Sequence, residues 1–401
     1  MTGSPTQTLT RADARPVVLA AGGTGGHMFP ADSLARVLAN RGVRVILITD
    51  GRGQAFSGEL KDIPVYRVRS AAPVGGVVRK ARAALDLFLG YGEARATLRA
   101  LKPAVVVGFG GYPSVPTVFA ATRLRLPVVL HEQNAVLGRA NRLFAKRAAA
   151  IATAFPALQR LSGADPDRVV LTGNPVRKPI AALRSDGYAP PDAGAPVHIL
   201  VTGGSQGARV FSDLVPAALT KLPEPMRARL RVSQQSRREV LDQTRRTLGA
   251  AGVQAEVLDF FTDMPARLGQ AHLAICRAGA STVAELATSG RPAILIPYPH
   301  AMDDHQTANA QALQAAGGGW MLPQATLDAA GLARAIERVI DHPRLLADAA
   351  AAARTLAPDQ AADRLADLVL RTAGLMAPDT GTNGGGGGGP GDAPWRGEAA
   401  A

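Results

Sequence analysis

The sequence contains a single cysteine, Cys276, among 401 residues. One cysteine excludes an internal disulfide framework and a zinc site with several cysteine ligands, and it favours a reducing compartment. Aromatic residues make up only 4% of the chain, so Ala, Val and Leu must fill most of any core. Acidic residues number 32 against 45 basic ones, which gives a net charge of +13. This excess favours an anionic partner, whether nucleic acid, an anionic membrane or a phosphorylated substrate.

Long apolar segments are absent from the sequence as well. Nowhere do about 18 consecutive apolar residues occur without charges, so we predict no membrane-spanning helix. The first 15 residues are polar and lack the apolar centre of a signal peptide. We therefore expect a cytosolic protein, with a membrane surface among its candidate partners.

Short apolar segments alternate with Ala/Leu/Arg-rich helical segments, and the alternation occurs twice along the chain. Strands that are apolar throughout and separated by helices predict a parallel sheet buried on both faces. We therefore expect an α/β protein of two Rossmann-like domains facing across a cleft. The predicted strands are 17–21, 43–49, 65–68, 104–109, 128–130 and 150–153 in the first half, then 197–202, 230–233, 255–260, 273–276 and 293–297 in the second.

Prolines and glycines indicate the boundaries between these units. Five prolines between Pro175 and Pro196 interrupt the periodic pattern and indicate an interdomain linker. Helical patterns cover 327–340 and 343–373, and a tail with six consecutive glycines follows, which predicts disorder. The predicted division is a flexible N-terminus 1–15, domains 16–176 and 197–355 joined by the linker 177–196, a helix 356–375 and the tail 376–401.

A glycine-rich turn follows the first predicted strand of each half. The turns are Gly22-Gly23-Thr24-Gly25-Gly26 and Gly203-Gly204-Ser205-Gln206-Gly207. Glycines let the backbone approach a phosphate, and the helix N-terminus that follows favours an anion. A tight turn without a ligand is the alternative. Met28 stands where a dinucleotide-binding fingerprint needs its third glycine, which weighs against a nicotinamide-dependent dehydrogenase.

Polar residues follow other strands at the same predicted edge of the first sheet. His27 lies where the first helix begins, and the positive helix end favours a neutral imidazole that can act as a general base. Helix capping or packing is the alternative for this side chain. A third glycine-rich loop carries Tyr112 and Ser114, and the segment 131–134 follows the next strand. The carboxyl ends of parallel strands form the ligand crevice in such folds, so these residues are candidates for a site.

The second half offers groups suited to a nucleotide sugar. Small residues at 280–282 begin a helix, and Glu285 follows one turn later, where it can accept hydrogen bonds from a ribose; a solvated surface position is the alternative. Gln306 and Asn309 share a helix face, and carboxamides suit sugar hydroxyls. The acidic pair in 165–167 lies away from every glycine-rich turn, so we predict a turn there and no metal site.

A basic segment beside apolar residues suggests how the chain could meet a membrane. Arg79, Lys80 and Arg82 precede an apolar stretch, 85–89. This combination is typical of a peripheral membrane contact, although a helix packed on the sheet is the alternative. A nucleic-acid partner is not expected, because the basic residues are not interleaved with aromatic ones.

The motifs together resemble the family of bacterial GT-B glycosyltransferases that make lipid II. The family transfers N-acetylglucosamine from UDP-N-acetylglucosamine (UDP-GlcNAc) to lipid I. The resemblance covers roughly residues 15–370 and leaves the glycine-rich tail outside. Its pieces, in order, are 22–27, 110–112, 131–134, 173–177, 203–207, 276–285 and 305–309.

The resemblance implies an N-terminal domain for the lipid acceptor and a C-terminal domain for UDP-GlcNAc, with the final helix returning to the first domain. It implies peripheral attachment at the cytoplasmic face of the inner membrane, with lipid I and an anionic membrane surface as partners and with no cofactor or metal. A diacylglycerol glycosyltransferase and a UDP-GlcNAc 2-epimerase share the architecture and are alternatives.

The resemblance also implies roles for individual residues. For the general base of such a transfer we favour His27, with Glu132 as the second candidate, and the sequence does not separate the two. The acceptor would contact Tyr112, Ser114 and His131. The donor would contact Thr24, Gly25, Gly26, Asn134, Arg177, Ser205, Phe260, Phe261, Ala280, Ser281, Thr282, Glu285, Gln306 and Asn309.

Overall fold

A computed structural model describes residues 15–23, 25–51, 61–72, 75–161, 163–204 and 207–376. The predicted flexible N-terminus up to residue 14 and the predicted glycine-rich tail from 377 lie outside these ranges, as do Thr24, Ser205 and Gln206.

Two parallel sheets form the centres of two α/β domains. The first contains β1 (Val17–Ala20), β2 (Val45–Thr49), β3 (Val65–Arg67), β4 (Val105–Gly108), β5 (Val128–Glu132), β6 (Ala150–Thr153) and β7 (Val169–Leu171). The second contains β8 (Val197–Thr202), β9 (Leu230–Gln235), β10 (Gln254–Leu258), β11 (Leu273–Cys276), β12 (Ala293–Leu295) and β13 (Gly319–Met321). The strand orders are β3-β2-β1-β4-β5-β6-β7 and β10-β9-β8-β11-β12-β13, with parallel neighbours throughout. This arrangement confirms the predicted pair of Rossmann-like domains.

Helices cover both faces of each sheet. They are α1 (Gly25–Asn40), α2 (Val77–Leu101), α3 (Gly111–Arg123), α4 (Arg139–Arg142), α5 (Lys178–Ala182), α6 (Arg209–Thr220), α7 (Glu224–Arg229), α8 (Leu241–Ala250), α9 (Met264–Gln270), α10 (Ala280–Ser289), α11 (His305–Ala315), α12 (Ala329–Ile340), α13 (Pro343–Leu356) and α14 (Ala361–Thr372). Alternate residues of β1 enter two separate cores, Val17 and Leu19 on one face and Val18 and Ala20 on the other. Burial on both faces explains why the strands are apolar throughout.

Two features of the chain differ from the sequence predictions. The edge strands β7 and β13 were not predicted, because each has only three residues and is only partly buried. The helical segment 343–373 is interrupted, and the predicted final helix 356–375 begins later than predicted, at Ala361. The segment consists of α13 and α14, and Pro358 and Gln360, the latter with φ +55°, lie between them.

The acidic pair 165–167 forms the predicted turn, in which the Asp165 carboxylate accepts the N–H of Asp167 at 3.1 Å.

The break before α14 directs the chain back across the molecule. Leu365 and Val369 of α14 pack into the core of the first domain with Leu19. Arg41, just after α1, donates hydrogen bonds to Asp363 at 2.8 Å and to Asp367. The predicted linker 177–196 contains α5, and its Ile180 is buried in a core that also contains Leu268 and Ala271 of the second domain. The chain therefore crosses between the domains twice, at the linker 177–196 and again before α14.

Two glycines of α2 provide a matched test of how this helix packs. A Cβ at Gly90 would lie 1.9 Å from the carbonyl oxygen of Arg69, whereas a Cβ at Gly92 would meet nothing within 4 Å. We expect Gly90→Ala to lower the free energy of unfolding by about 1–3 kcal/mol through overpacking. Gly92→Ala should raise it by up to ~1 kcal/mol, because alanine is the better helix former. Thermal unfolding of the two variants measures this; equal midpoints would contradict the packing described.

Candidate active site

The carboxyl ends of both sheets open into one cleft between the domains. A cavity of about 1040 Å³ lies there, large enough for a nucleotide sugar. Gly25, another predicted donor residue, begins α1 beside the cavity. The predicted site residues that line it are Gly26, His27, Tyr112, Glu132, Asn134, Arg177, Phe260, Phe261, Ala280, Ser281, Thr282, Glu285 and Gln306.

The first glycine-rich turn presents His27 to the cavity. Gly22 leaves no room for a side chain, since a Cβ there would lie 2.7 Å from both Pro113 and Thr49, and Gly23 has φ +83°. The turn therefore needs glycine for two separate reasons. It leads into α1, and His27 follows in the first turn of that helix.

The imidazole of His27 is held in its neutral form. Burial first, and then the nearby imidazole of His305, lower the pKa of His27 to about 4. The Nδ1 atom of His27 is buried and has no hydrogen-bond partner among the described residues. The neutral state agrees with the sequence prediction, but its physical cause is burial rather than the helix end. The ring is available to accept a proton near pH 7.

Glu132, the second candidate base, stabilises a loop. Its carboxylate accepts hydrogen bonds from the N–H groups of Gly138 at 2.8 Å and Asn134 at 3.1 Å. The side-chain amides of Asn141 and Asn134 donate to it at 2.8 and 3.2 Å. Burial raises the pKa of Glu132, and these bonds oppose that rise. With its oxygens occupied in this way, the carboxylate shapes the loop after β5.

The two predicted acceptor contacts Ser114 and His131 lie outside the lining of the cavity. Ser114 is buried, and its hydroxyl donates to the carbonyl of Gly111 at 2.9 Å. His131 is fully buried and contacts the side-chain amide of Gln133 at 2.9 Å; burial lowers the pKa of His131 to about 4. The Ser114 hydroxyl thus bonds within the first turn of α3, and the His131 ring bonds the loop after β5.

Asn309 connects the two domains, although the sequence suggested a contact with the donor sugar. Its side-chain oxygen accepts the N–H of Ala135 at 2.8 Å. Its amide donates to Asn134 at 3.1 Å and to the carbonyl of Ala278 at 3.0 Å. The side chain is fully buried, and both amide hydrogens are bonded within the protein. In this arrangement Asn309 positions Asn134, which does line the cavity.

The second domain contributes the N-terminus of α10. Gly279 precedes the helix in an extended conformation and provides no side-chain cap. The first N–H groups of a helix have no partner within the helix, so those of 280–282 are free to bind an anion at the cavity wall. The buried hydroxyl of Ser281 also has no hydrogen-bond partner among the described residues.

Arg177 and Glu285 form an ion pair beside this helix end. Their nitrogen and oxygen atoms are 3.1 Å apart, and the guanidinium of Arg177 lies 5.2 Å from the ring centre of Phe29. Burial raises the pKa of Glu285, and the charge of Arg177 opposes that rise. The predicted diphosphate and ribose contacts are therefore neighbours, and the structure pairs them directly.

Several lining residues received no role in the sequence analysis. Phe29 and Arg277 both line the cavity. The buried guanidinium of Arg277 donates to the carbonyls of Ile296 and Pro297 at 2.9 Å and lies 5.4 Å from the ring centre of Tyr298. Asn141 was also missed; its side-chain amide donates to Glu132, nine positions earlier, from the short helix α4. Only Arg277 had a local signal, its place inside the motif 276–280.

The described residues offer neither a metal cluster nor a membrane-spanning helix. Among them no group of three or more His, Cys, Asp or Glu side chains is placed to hold a metal ion. No helix in the described ranges has the length and apolar character needed to cross a bilayer.

The bonds of Glu132 predict a stability defect in Glu132→Gln. Glutamine would place an NH₂ group against N–H donors that now meet a carboxylate oxygen, leaving buried groups unsatisfied. We expect a loss of about 1–3 kcal/mol in the free energy of unfolding, measured by thermal unfolding. Unchanged stability together with lost turnover would instead identify Glu132 as the base.

Comparison with known proteins places the chain in a family. Profiles of the glycosyltransferase family 28 N-terminal and C-terminal domains match residues 17–153 and 198–365. The chain is 56% identical over 360 residues to the UDP-N-acetylglucosamine--N-acetylmuramyl-(pentapeptide) pyrophosphoryl-undecaprenol N-acetylglucosamine transferase of Rhodospirillum centenum, covering 90% of this chain and 95% of that protein. A protein of the same name from Rhodospirillum rubrum is 51% identical, with 90% and 93% covered.

A solved structure agrees with these relatives. The crystal structure of MurG from Acinetobacter baumannii matches with a TM-score of 0.73 at 32% identity, covering 89% of this chain and 99% of that one. The resemblance found in the sequence motifs is confirmed. The chain belongs to glycosyltransferase family 28.

Proposed function

We propose that this protein transfers N-acetylglucosamine from UDP-GlcNAc to the C4 hydroxyl of the N-acetylmuramyl group of lipid I, giving lipid II with inversion at C1. The relatives that match nine-tenths of the chain carry the name of this transferase. The observation that carries the proposal is the shared cavity, in which neutral His27 of one domain and the open N-terminus of α10 of the other line the same space.

The donor occupies the side of the cavity formed by the second domain. The helix end at 280–282 holds the diphosphate, together with Arg177 and Ser205. Glu285 accepts hydrogen bonds from the ribose while it remains beside Arg177. The backbone near Phe260 and Phe261 holds the uracil. The hydroxyls of the sugar form hydrogen bonds with the side chain of Gln306 and the backbone N–H of Ala280.

The acceptor enters from the first domain, past the glycine-rich turn and Tyr112. Its C4 hydroxyl attacks C1 of the sugar on the face opposite the diphosphate. The new O4–C1 bond forms as the bond from C1 to the diphosphate oxygen breaks, which inverts C1. The hydroxyl proton passes to His27, and the negative charge that develops on UDP is stabilised by the α10 N–H groups and Arg177.

A third surface brings the enzyme to its lipid substrate. The side chains of Val77, Val78 and Phe88 on α2 are 84%, 82% and 70% exposed. The basic residues 79, 80 and 82 are exposed among them. An apolar and basic face of this kind suits an anionic bilayer, and it supports peripheral attachment at the cytoplasmic face of the inner membrane.

Transfer of labelled sugar to a short-chain lipid I analogue tests the proposed function. We expect label in the lipid only when UDP-GlcNAc and the acceptor are both present, and none from UDP-N-acetylgalactosamine. Release of UDP without acceptor would favour a 2-epimerase, and label in diacylglycerol would favour a glycolipid synthase. Either result would overturn the proposal.

The role of His27 predicts a large kinetic defect in His27→Ala. Loss of a general base should lower kcat by about 10²–10⁴-fold. Because the imidazole does not hold the nucleotide, KM for UDP-GlcNAc should stay within about threefold. His342→Ala is the matched control, since that histidine is exposed and its ring bonds the Arg338 carbonyl, away from the cavity. Turnover of His27→Ala within threefold of the wild type would exclude His27 as the base.

The exposed face of α2 predicts salt-sensitive membrane binding. Reversing the charges of Arg79, Lys80 and Arg82 should weaken binding to vesicles containing anionic lipid by tenfold or more, at about 1 kcal/mol per basic residue. Reversing three exposed charges of the second domain, Lys221, Arg246 and Arg344, is the matched control. Vesicle sedimentation at low and high salt measures both. Binding that ignores salt and survives the first set of reversals would contradict the proposed surface.

A further inference from the structure

One carboxylate of the second domain meets three guanidinium groups of the first domain at the edge of the cleft. Asp303 lies between β12 and α11, and its side chain is only 12% exposed. Its oxygens lie 3.0 Å from Arg139 and 3.2 Å from Arg160, and Arg142 donates to it as well. These three arginines and Asp303 are called the Asp303 clasp below.

The clasp is suited to holding the domains together. Hydrogen bonds between charged partners are stronger than neutral ones, and partial burial limits screening by salt. Arg139 binds Asp303 through both Nε and Nη2, at 3.2 and 3.0 Å. The contact joins residues more than 140 positions apart in the chain, so it acts across the cleft.

The backbone at this point has an uncommon conformation. Asp303 and Asp304 both adopt left-handed angles, with φ values of +53° and +54°. Such angles are uncommon for residues other than glycine and persist where the surroundings hold them. The contacts of Asp303 with the arginines provide such surroundings, whereas the Asp304 side chain points to Thr307, whose hydroxyl donates at 2.7 Å.

The residues that follow Asp303 lie in the proposed active site. His305 lies near enough to His27 for the two imidazoles to interact electrostatically. Gln306, the next residue, lines the cavity, and its side-chain oxygen accepts the N–H of Tyr298 at 3.0 Å. The position of Asp303 therefore determines where this part of the donor site stands relative to the first domain.

We propose that Asp303 is a positioning residue for the transfer. Through the clasp it holds the cleft closed, so that Gln306 meets the donor sugar opposite His27. This inference rests on the proposed function for its catalytic meaning, although the closure itself is independent of the reaction.

Kinetics of Asp303→Asn test the positioning role, because asparagine keeps the shape and removes the charge. If the closed form falls to about a tenth of the population, apparent donor affinity falls by the same factor. We expect KM for UDP-GlcNAc to rise about tenfold, while kcat at saturation stays within about threefold because bound substrates restore closure. Asp304→Asn is the matched control, with an adjacent position and the same backbone conformation, and should stay within about twofold of the wild type.

Two further variants separate positioning from a purely structural role. Asp303→Glu keeps the charge and should recover most of the donor KM. Arg142→Ala should raise the same KM, and combining it with Asp303→Asn should add little, since both remove one interaction. Thermal unfolding midpoints should match the wild type throughout.

Several outcomes would overturn the inference. They are an unchanged KM in Asp303→Asn, an equal defect in Asp304→Asn, or a KM defect that follows a lowered unfolding midpoint. A rise in the acceptor KM alone in Arg139→Ala and Arg142→Ala would assign these arginines to acceptor binding instead.

Small-angle X-ray scattering without substrates makes the test independent of the reaction. Asp303→Asn should have a larger radius of gyration than the wild type and Asp304→Asn. If the wild type transfers no sugar and this difference is seen, the proposed function fails while the closure stands. Equal radii would contradict the closure itself.

Discussion

The position of the two sheets relative to each other determines the site, because each domain carries only half of it. Parallel sheets offer their binding loops at the carboxyl ends of the strands. Here those ends face each other, with His27 on one side and the start of α10 on the other. Contacts made by buried side chains fix that arrangement. Fully buried Asn309 binds Ala135 and Asn134 of the loop after β5 and so joins the two domains.

The charged and neutral groups of the cleft suit the chemistry proposed for it. A diphosphate needs positive groups, and helix ends with arginine supply them at the donor side. A base near such groups must be neutral to accept a proton, and burial beside His305 keeps His27 in that state. The wider excess of basic residues, +13 overall, has a partner in an anionic membrane that holds the acceptor.

Much of the fold was predictable, because apolar strands buried on both faces leave a strong local signal. The glycine turn after β1 was predictable because Gly23, with φ +83°, needs glycine for its own backbone, whereas the limit on space at Gly22 comes from Thr49 and Pro113, which are distant in sequence. The short edge strands β7 and β13 were not, as partial burial leaves a weak pattern. The break between α13 and α14 has a local sign in Pro358, which the surrounding helical periodicity obscured.

The motifs that form the site were predictable from the sequence, whereas the roles of individual side chains were less so. Most of the chosen residues line the cavity, since each lies at the carboxyl end of a strand or at a helix start. Ser114, His131 and Asn309 differ, because hydrogen bonds within the protein occupy their side chains. Whether a polar side chain faces a ligand or supports a loop depends on such bonds, as the bond between Ala135 and Asn309, 174 positions apart, illustrates.

The pH dependence of kcat/KM with UDP-GlcNAc and a lipid I analogue tests the central claim most directly. A base that is neutral above its pKa loses activity only as the pH falls through that value, which for His27 is about 4. The account predicts a constant kcat/KM between about pH 8 and pH 5.5, with a decline only below that range. An acidic limb centred near 6.5, the ordinary value for histidine, would contradict it.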